Sequence, residues 1–431
     1  MRHRTVVALA VTFSAECAVL IGGSRLLGAA GLMLVLLASA SWAFVVTDVG
    51  VDERPYLVMA AIAVLFAIAV AIPPRNSHDI WSYVMYGRTV SAHHVSPYVR
   101  VPADFPHDPF LGRVGLGWTH ARSVYGPLFS CVSAALTRIA GTSALRARLA
   151  FQGLAALGVV AALAVIWRTT RRARAVAFLG LHPAIVTTIV NSGHNDSLVG
   201  LAVLSGALLA ARRRWRVAGF VLGLGMLVKA STGFGLLGIA AWSFKRDRRG
   251  AGQLTAVAAV TTIVGYAPFG FTAARAAAHA ANGNTRASVW DPISSLLHSN
   301  ATIALIVVLA LMVWVAYRWC AATRPTSTAL ATMSVYLLAG AYVLPWYPAW
   351  ALPTAAMERR SWLSWLVAAQ AAFLVAVYEF ELPGRPVLSG AAADARSVVV
   401  QVGSWSALAA FFVWERRHAK RTIERAPNSS Q

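Results

Sequence analysis

The sequence predicts an all-α polytopic membrane protein with about 12–14 transmembrane helices. Of its 431 residues, 58% are hydrophobic and only 13% are charged, and this charged share is about half the usual one. Apolar runs long enough to cross about 30 Å of hydrocarbon recur along the whole chain. Lipid admits helices or closed barrels as spanning structures, and the runs lack the alternating pattern of barrel strands. Helices are therefore predicted throughout.

The net charge of +22 indicates membrane topology rather than a nucleic-acid partner. Arginines form short blocks between the apolar runs, as at 171–174, 212–214 and 416–417, and cytoplasmic loops of membrane proteins carry such blocks. We therefore expect the lipid bilayer as a partner and no nucleic acid. The three cysteines lie in or beside apolar runs, so no disulfide framework is predicted. Arginines followed by an apolar run at the start of the chain predict an uncleaved first helix.

The basic blocks predict a topology in which the N-terminus lies in the cytoplasm. The first crossings are expected at 6–22, 26–46 and 56–73. They deliver Asp79 to the outer face, in a first outer loop, 75–124, whose prolines, glycines and aromatics indicate short surface helices. A second outer loop is expected at 271–300 and a cytoplasmic tail at 415–431. The whole chain, 1–431, is predicted to form one transmembrane domain.

Three segments of the predicted bundle differ from a single straight crossing. Segments 175–190 and 196–211 form a hairpin whose tip faces outward, because arginines flank both inner ends. Residues 217–244 have basic residues at both ends and are too long for one span, which predicts two short helices turning at Lys229. Segment 126–141 is predicted to be interfacial or re-entrant, since a crossing there would place the following arginine block outside.

Two aspartates are the leading catalytic candidates. Of the 16 acidic residues, Asp79 and Asp196 lie nearest the membrane on the outer face, within polar and aromatic clusters. Ionisable groups at such positions are functional candidates by default. The alternative for both is a helix N-cap, a position that Asp favours. His194 and Asn195 add polar groups at the hairpin tip, where a simple turn needs none.

Lys229 is the candidate for binding a phosphate. It lies between two apolar helices, whereas the other lysines, Lys245 and Lys420, lie in cytoplasmic segments. An ammonium group at an outward turn can bind phosphate as a compact point charge, although it can also extend to the headgroup zone. No metal site is predicted, because the adjacent His93 and His94 lack ligand spacing.

Aromatic residues flank two bends at membrane depth, at Tyr125 and at Trp346-Tyr347. Such residues belong either to the aromatic belt of a membrane protein or to a surface that stacks on sugar rings and packs against prenyl chains. The sequence leaves both interpretations open.

Several short motifs, taken together and in order, resemble those of one known family. They are Asp79-x-x-Ser82-Tyr83 with Gly87-Arg88, Ser96-Pro97-Tyr98, Tyr125-Gly126-Pro127-Leu128, Gly193-His194-Asn195-Asp196, Leu227-Val228-Lys229-Ala230 and Pro345-Trp346-Tyr347. This series, from about residue 75 to 350, is similar to that of actinobacterial α-1,6-mannopyranosyltransferases, which use polyprenyl-phosphomannose and belong to the GT-C class of membrane glycosyltransferases. The resemblance implies a GT-C-like bundle with an outer-face active site, Asp79 as catalytic base and Asp196 as a second acid.

The resulting functional hypothesis is mannosyl transfer from an outward-facing polyprenyl phosphate to a glycan or glycolipid hydroxyl at the plasma membrane. One base suffices because phosphate leaves readily, whereas glycosidases use two carboxyl groups. Asp79 takes the acceptor proton with inversion, and Lys229, with Arg75 or Arg286, neutralises the phosphate. The expected substrate-binding residues are Lys229, His194, Asn195, Tyr83, Arg88, Tyr125, Trp346, Tyr347, Arg75 and Arg286.

No cofactor is expected beyond the lipid-linked sugar donor. Two alternatives stay open. A polyprenyl-phosphoarabinose-dependent arabinofuranosyltransferase has the same kind of sequence. A lipid or glycolipid transporter also uses broken helices and intramembrane charge, although the polar candidates here gather at one face and no inverted repeat is visible.

Overall fold

Helices are the regular elements of the part of the chain that the computed structural model describes, which is residues 3–27, 29–74, 77–279, 285, 287–293, 301–378 and 391–424. The first are α1 (His3–Leu27), α2 (Ala29–Thr47), α3 (Pro55–Ala71), α4 (Asp79–Ser91), α5 (Leu116–Thr119), α6 (Pro127–Ala140), α7 (Ala144–Thr170), α8 (Ala173–Gly180) and α9 (Asp196–Ala211). The others are α10 (Trp215–Val228), α11 (Thr232–Arg246), α12 (Arg248–Tyr266), α13 (Gly270–His279), α14 (Ala301–Trp319), α15 (Pro325–Ala339), α16 (Leu352–Met357), α17 (Trp362–Tyr378) and α18 (Ala391–Glu424).

The lengths and composition of these helices confirm an all-α polytopic membrane protein. Six described stretches are long and apolar enough to cross a bilayer: His3–Gly23, Ala30–Thr47, Ala144–Thr170, Arg248–Ala273, Thr302–Trp319 and Ser397–Arg417. A bent pair of helices makes a seventh, and α3, α6, α9, α10 and α17 are shorter apolar helices of 10–17 residues. The crossings expected from the sequence also include α3, α9, α10 and α17, whereas α6 was expected to be interfacial or re-entrant.

One predicted irregularity of the bundle is confirmed, and a second stays a prediction. The stretch 217–244 is a pair of short helices, because α10 ends at Val228 and α11 begins at Thr232. Segment 126–141 forms α6, whose 14 residues extend about 21 Å at 1.5 Å per residue, less than a bilayer core. Helix α6 packs against α4, where an added Cβ at Gly87 would lie 2.4 Å from the Ser133 carbonyl oxygen.

The hairpin leg expected at 175–190 is bent rather than one continuous helix. Helix α8 ends at Gly180, the chain bends by 64°, and a π-helix follows at Ile185–Asn191. Pro183 explains the break, since proline removes a helical hydrogen bond and clashes with the preceding turn. Buried His182 supplies hydrogen bonds at the break. Its Nδ1 accepts from the Ala184 N–H at 3.2 Å, so its Nε2–H donates to the Ala368 carbonyl at 3.1 Å.

The π-helix is tied to the end of α3, and this fixes the chain that leads to Asp79. Asn191 donates through Nδ2 to the Ile72 carbonyl at 3.0 Å, and Gln152 does so through Nε2 at the same distance. Arg148 donates to the Val70 carbonyl at 3.1 Å. The last carbonyls of a helix have no partner within it, so these three side chains satisfy them. The positive charge of Arg148 also interacts favourably with the negative end of the α3 dipole.

The segment predicted as the first outer loop, 75–124, contains short helices among its described residues, and Asp108 joins it to α4. Arg88 donates through Nε to Asp108 at 2.8 Å, His93 Nε2 lies 2.8 Å away, and the Phe110 N–H donates at 3.0 Å. Burial alone raises the pKa of the Asp108 carboxyl, but the bonds from Phe110, Arg88 and His93 outweigh it and bring that pKa below its usual value. Asp108 is therefore an anion that anchors α4 to the loop.

Candidate active site

Asp79 lies at the first residue of α4, and its carboxylate reaches a cavity in the bundle. The residue is 8% exposed, its N–H donates to Ser77 Oγ at 3.1 Å, and its Oδ2 lies 3.4 Å from His194 Nε2. The N-cap of α4 is His78 and that of α9 is Asn195. The N-cap alternative is therefore wrong for both aspartates, although a carboxylate in the first turn still gains from the helix dipole.

His194 presents one ring nitrogen to Asp79 because the other is engaged. Its Nδ1–H donates to the carbonyl of Thr188 in the π-helix, so Nε2 faces Asp79 and Ser77 Oγ, the latter at 3.3 Å. Trp346 stacks on the imidazole with a centroid distance of 3.9 Å. Single turns of π-helix occur often at functional sites, and here one supplies the carbonyl that orients a buried histidine.

Gly193 permits this position of His194. Its φ of +69° lies in the left-handed region, and an added Cβ would approach Ile80 Cδ1 at 2.9 Å. Both features favour glycine, which alone enters this region at little cost. The Gly193-His194 part of the hairpin tip is therefore set by backbone geometry as well as by the chemistry of the histidine.

Asp196 forms a second pair, with Lys229. Lys229 Nζ donates to Asp196 Oδ1 at 2.7 Å, and Trp350 Nε1 donates to the same oxygen at 2.5 Å. The ammonium also lies 4.6 Å from the ring centroid of Tyr347 and 5.3 Å from that of Trp350, distances at which a cation is attracted to an aromatic face. Asp196 is fully buried, so its charge is balanced by Lys229 rather than by solvent.

Both pairs meet at one cavity of about 180 Å³. Its polar lining includes Asp79, Lys229 and Ser231, and the buried Ser231 hydroxyl has no hydrogen-bond partner within the described chain. The remaining lining is mainly aromatic and apolar: Trp118, Val124, Tyr125, Ala230, Phe234, Leu305, Tyr336, Tyr342, Leu344, Trp346, Tyr347 and Trp350. One carboxylate and one ammonium therefore face a common aromatic chamber.

The 3-10 helix Tyr347–Trp350 connects the two pairs. Trp346, just before it, stacks on His194, and Trp350 at its end binds Asp196. It lies close to α9, because an added Cβ at Gly200 would be 2.3 Å from the Ala349 carbonyl oxygen. Sequence reasoning identified Trp346 and Tyr347 but missed Trp350, although its place one helical turn after Trp346 was a usable signal.

The other predicted substrate-binding residues occupy different places. Tyr125 lines the cavity, and buried Tyr83 packs edge-on against it with centroids 4.9 Å apart. Arg88 binds Asp108 in the outer loop instead of lining the cavity. Buried Asn195 has no partner for its amide atoms within the described chain. Arg75 and Arg286 lie outside the described residues.

No three His, Cys, Asp or Glu side chains come close enough to hold a metal ion in the described ranges.

The Tyr125 turn depends on close backbone contact with the Lys229 turn, which gives a stability prediction. The Gly126 N–H donates to the Val228 carbonyl at 2.9 Å, and an added Cβ at Gly126 would lie 2.2 Å from the Leu227 carbonyl oxygen. We expect Gly126→Ala to destabilise the protein by about 1–3 kcal/mol, as overpacking does, and to lower the thermal unfolding midpoint in detergent.

Gly117→Ala is the matched control for Gly126→Ala, because nothing lies within 4 Å of an added Cβ at Gly117. This variant should unfold at or slightly above the wild-type midpoint. Equal midpoints for the two variants would contradict the close-contact interpretation.

The fold and the cavity together define a polytopic membrane protein with an acid, a histidine and a lysine at one end of its helical bundle. A family model described as "Alpha-(1->6)-mannopyranosyltransferase, N-terminal domain" matches residues 4–245. The chain belongs to this family, which confirms the resemblance seen in the motifs. The matched region contains Asp79, His194, Asp196 and Lys229.

Two relatives from Corynebacterium glutamicum are similar to the chain. Alpha-(1->6)-mannopyranosyltransferase B is 28% identical over 270 residues, which is 61% of this chain and 41% of the relative. Alpha-(1->6)-mannopyranosyltransferase A is 27% identical over 198 residues, which is 44% of this chain and 38% of the relative. The chain thus spans less than half the length of either relative. No solved structure matches it significantly.

Proposed function

We propose that this protein transfers a mannosyl residue from a polyprenyl phosphate to a hydroxyl of a cell-envelope glycan or glycolipid. The observation that carries this proposal is the cavity where the carboxylate of Asp79 and the ammonium of Lys229 share aromatic walls. A base and a phosphate-binding cation are the groups that the reaction needs. The names of the two relatives support mannose as the sugar and an α-(1→6) linkage.

In the proposed step, the acceptor oxygen bonds to C1 of mannose as the C1–O bond to phosphate breaks. The acceptor proton passes to Asp79, and polyprenyl phosphate leaves with the bonding electron pair. Asp79 acts as a general base. His194, whose ring is held by the Thr188 carbonyl, positions the carboxylate through its Nε2, which lies beside Asp79 Oδ2. Attack opposite the leaving group inverts C1, so an α product requires a β-linked donor.

Lys229 stabilises the leaving phosphate in this proposal. Charge that develops on a leaving group in a dry site is stabilised by fixed positive groups. The Ser231 hydroxyl also lines the cavity and can donate a further hydrogen bond. In this proposal Lys229 and Ser231, rather than a metal ion, act on the phosphate.

We further propose that the cavity opens on the extracytoplasmic face of the plasma membrane. Asp79 follows the end of α3, whereas Asp52 precedes its start and binds Arg174 at 2.9 Å. The arginine block of 171–174 thus lies at the end of the bundle opposite Asp79. Cytoplasmic loops carry such blocks, which supports an outward-facing Asp79.

The function is tested with the purified protein in proteoliposomes, radiolabelled donors and a short α-mannoside acceptor. We expect a new mannosidic bond from polyprenyl β-phosphomannose, none from the α anomer, and activity that persists in EDTA. Transfer from polyprenyl-phosphoarabinose alone would identify an arabinosyltransferase. Movement of labelled lipid across the bilayer without a new glycosidic bond would identify a transporter, and either result would overturn the proposal.

A further inference from the structure

A second and larger cavity lies at the other end of the bundle. Its volume is about 630 Å³, and its lining is polar and basic. The charged and hydroxyl side chains that line it are Thr169, Thr170, Arg172, Thr323, Arg324, Thr326, Glu358, Arg359, Arg360 and Ser361. They come from the end of α7, the start of α15 and the turn after α16, so segments distant in sequence converge here.

Two helices run between the first cavity and the second. Asp196 starts α9 beside Lys229, and Ala211 at its end lines the second cavity. The 16 residues of α9 separate these ends by about 24 Å at 1.5 Å per residue. Helix α15 likewise lines the second cavity with Pro325 and the first with Tyr336. The second cavity therefore does not belong to the candidate active site.

The positive charge around this cavity is only partly balanced. Asp52 binds Arg174 at 2.9 Å and Arg172 at 4.0 Å. Glu358 lies 3.9 Å from Arg324 and also accepts from Thr326 Oγ1 at 2.5 Å. These two carboxylates are therefore already engaged.

Arg359 and Arg360 have no carboxylate within 4 Å among the described residues. The pKa of Arg359 is lowered by burial and by the Arg174, Arg172 and Arg360 guanidiniums, which outweigh the opposite effect of the Asp52 carboxylate. Guanidiniums that repel one another inside a cavity are stabilised when an anion binds between them.

We propose that this cavity is a binding site for a phosphate group. Guanidinium presents a planar fork of donors that matches phosphate oxygens, and the threonine and serine hydroxyls add neutral donors. Arg172, Arg324 and Arg360 are exposed and Arg359 is half-buried, as in a cytoplasmic basic loop. They differ from such a loop in lining one cavity from three separate segments. The phosphate belongs either to the headgroup of an anionic phospholipid or to a soluble phosphate compound.

The site is tested by ligand binding to the full-length protein, independently of catalysis. Wild type in detergent is titrated with phosphatidylglycerol and, separately, with inorganic pyrophosphate, by native mass spectrometry and thermal shift. We expect at least one of them to bind and raise the unfolding midpoint. The variant R359Q/R360Q should bind it at least tenfold more weakly, whereas R359K/R360K, which keeps the charge without the fork, should fall between.

R248Q/R249Q is the matched control, because it removes the same charge from exposed arginines that do not line the cavity. It should bind like wild type. If phosphatidylglycerol stays bound after a wash with pyrophosphate, the natural ligand is a lipid headgroup. If only pyrophosphate binds, the ligand is a soluble phosphate compound. If R359Q/R360Q does not fold, R324Q, at a side chain that is 63% exposed, takes its place. Equal binding by wild type, the cavity variant and the control, or no binding at all, would overturn the proposal.

Discussion

Asp79→Asn should reduce the turnover number by about 10²–10⁴, the contribution of a general base, with little change in the apparent affinity for donor. Asparagine has the same shape as aspartate but cannot take the acceptor proton. The His194 ring keeps its bond to the Thr188 carbonyl in this variant, so the cavity should retain its shape. Initial rates in proteoliposomes at varied donor concentration separate the two kinetic parameters.

Asp104→Asn is the control for this experiment. Asp104 lies in the same outer loop with its side chain 35% exposed, near Arg100 at 3.8 Å, and it does not line the cavity. Its turnover should equal that of wild type. Thermal unfolding midpoints of both variants show whether each is folded. If the folded Asp79→Asn protein kept more than a third of wild-type turnover, Asp79 would not be the base.

The broken helix at Lys229 shows how much of the fold could be predicted from the sequence. Apolar length and basic flanks are local properties, and they indicated two short helices where α10 and α11 were found. The basic block after α7 also indicated that 126–141, the later α6, does not cross the membrane. The same reasoning did not show the bend within 175–190, because the apolar run continues through it, although Pro183 is a local signal for a helix break.

The pairing of the candidate residues was not predictable in the same way. Position near the membrane selected Asp79, His194, Asp196 and Lys229. It did not show that Lys229 binds Asp196, 33 residues away, or that Trp350 binds the same carboxylate from 154 residues away. These contacts depend on the packing of α9 against α10 and the 3-10 helix Tyr347–Trp350, which a pattern in one segment does not encode.

Arg88 illustrates a related difficulty. It lies near Asp79 in sequence, and it was therefore expected to bind substrate, but its guanidinium is engaged by Asp108. Asp108 follows a proline-rich stretch, and only the folding of the loop brings its carboxylate back beside α4. A charged residue beside a catalytic candidate is as suited to fixing the loop as to binding ligand, and tertiary contacts decide between the two.

Lys229→Met should produce the second large effect, a combined loss of stability and of donor affinity. The change leaves Asp196 buried without its cation, and Oδ2 of this carboxylate already has no partner in the described chain. Removal of one partner of a buried ion pair costs about 3–5 kcal/mol. We therefore expect a lower unfolding midpoint together with a higher KM for polyprenyl-phosphomannose. Lys245→Met, at an exposed lysine at the end of α11, should change neither.

The double variant Lys229→Met/Asp196→Asn separates the structural role of the ammonium from its role at the phosphate. Asparagine carries no charge, so the double variant should recover much of the stability that Lys229→Met loses. It still lacks a cation in the cavity, so the KM for donor should stay high. Recovery of stability without recovery of donor affinity therefore follows only if Lys229 also acts on the ligand. If donor affinity returned with stability, the lysine would serve only to neutralise Asp196, and phosphate binding would have to be assigned to another residue.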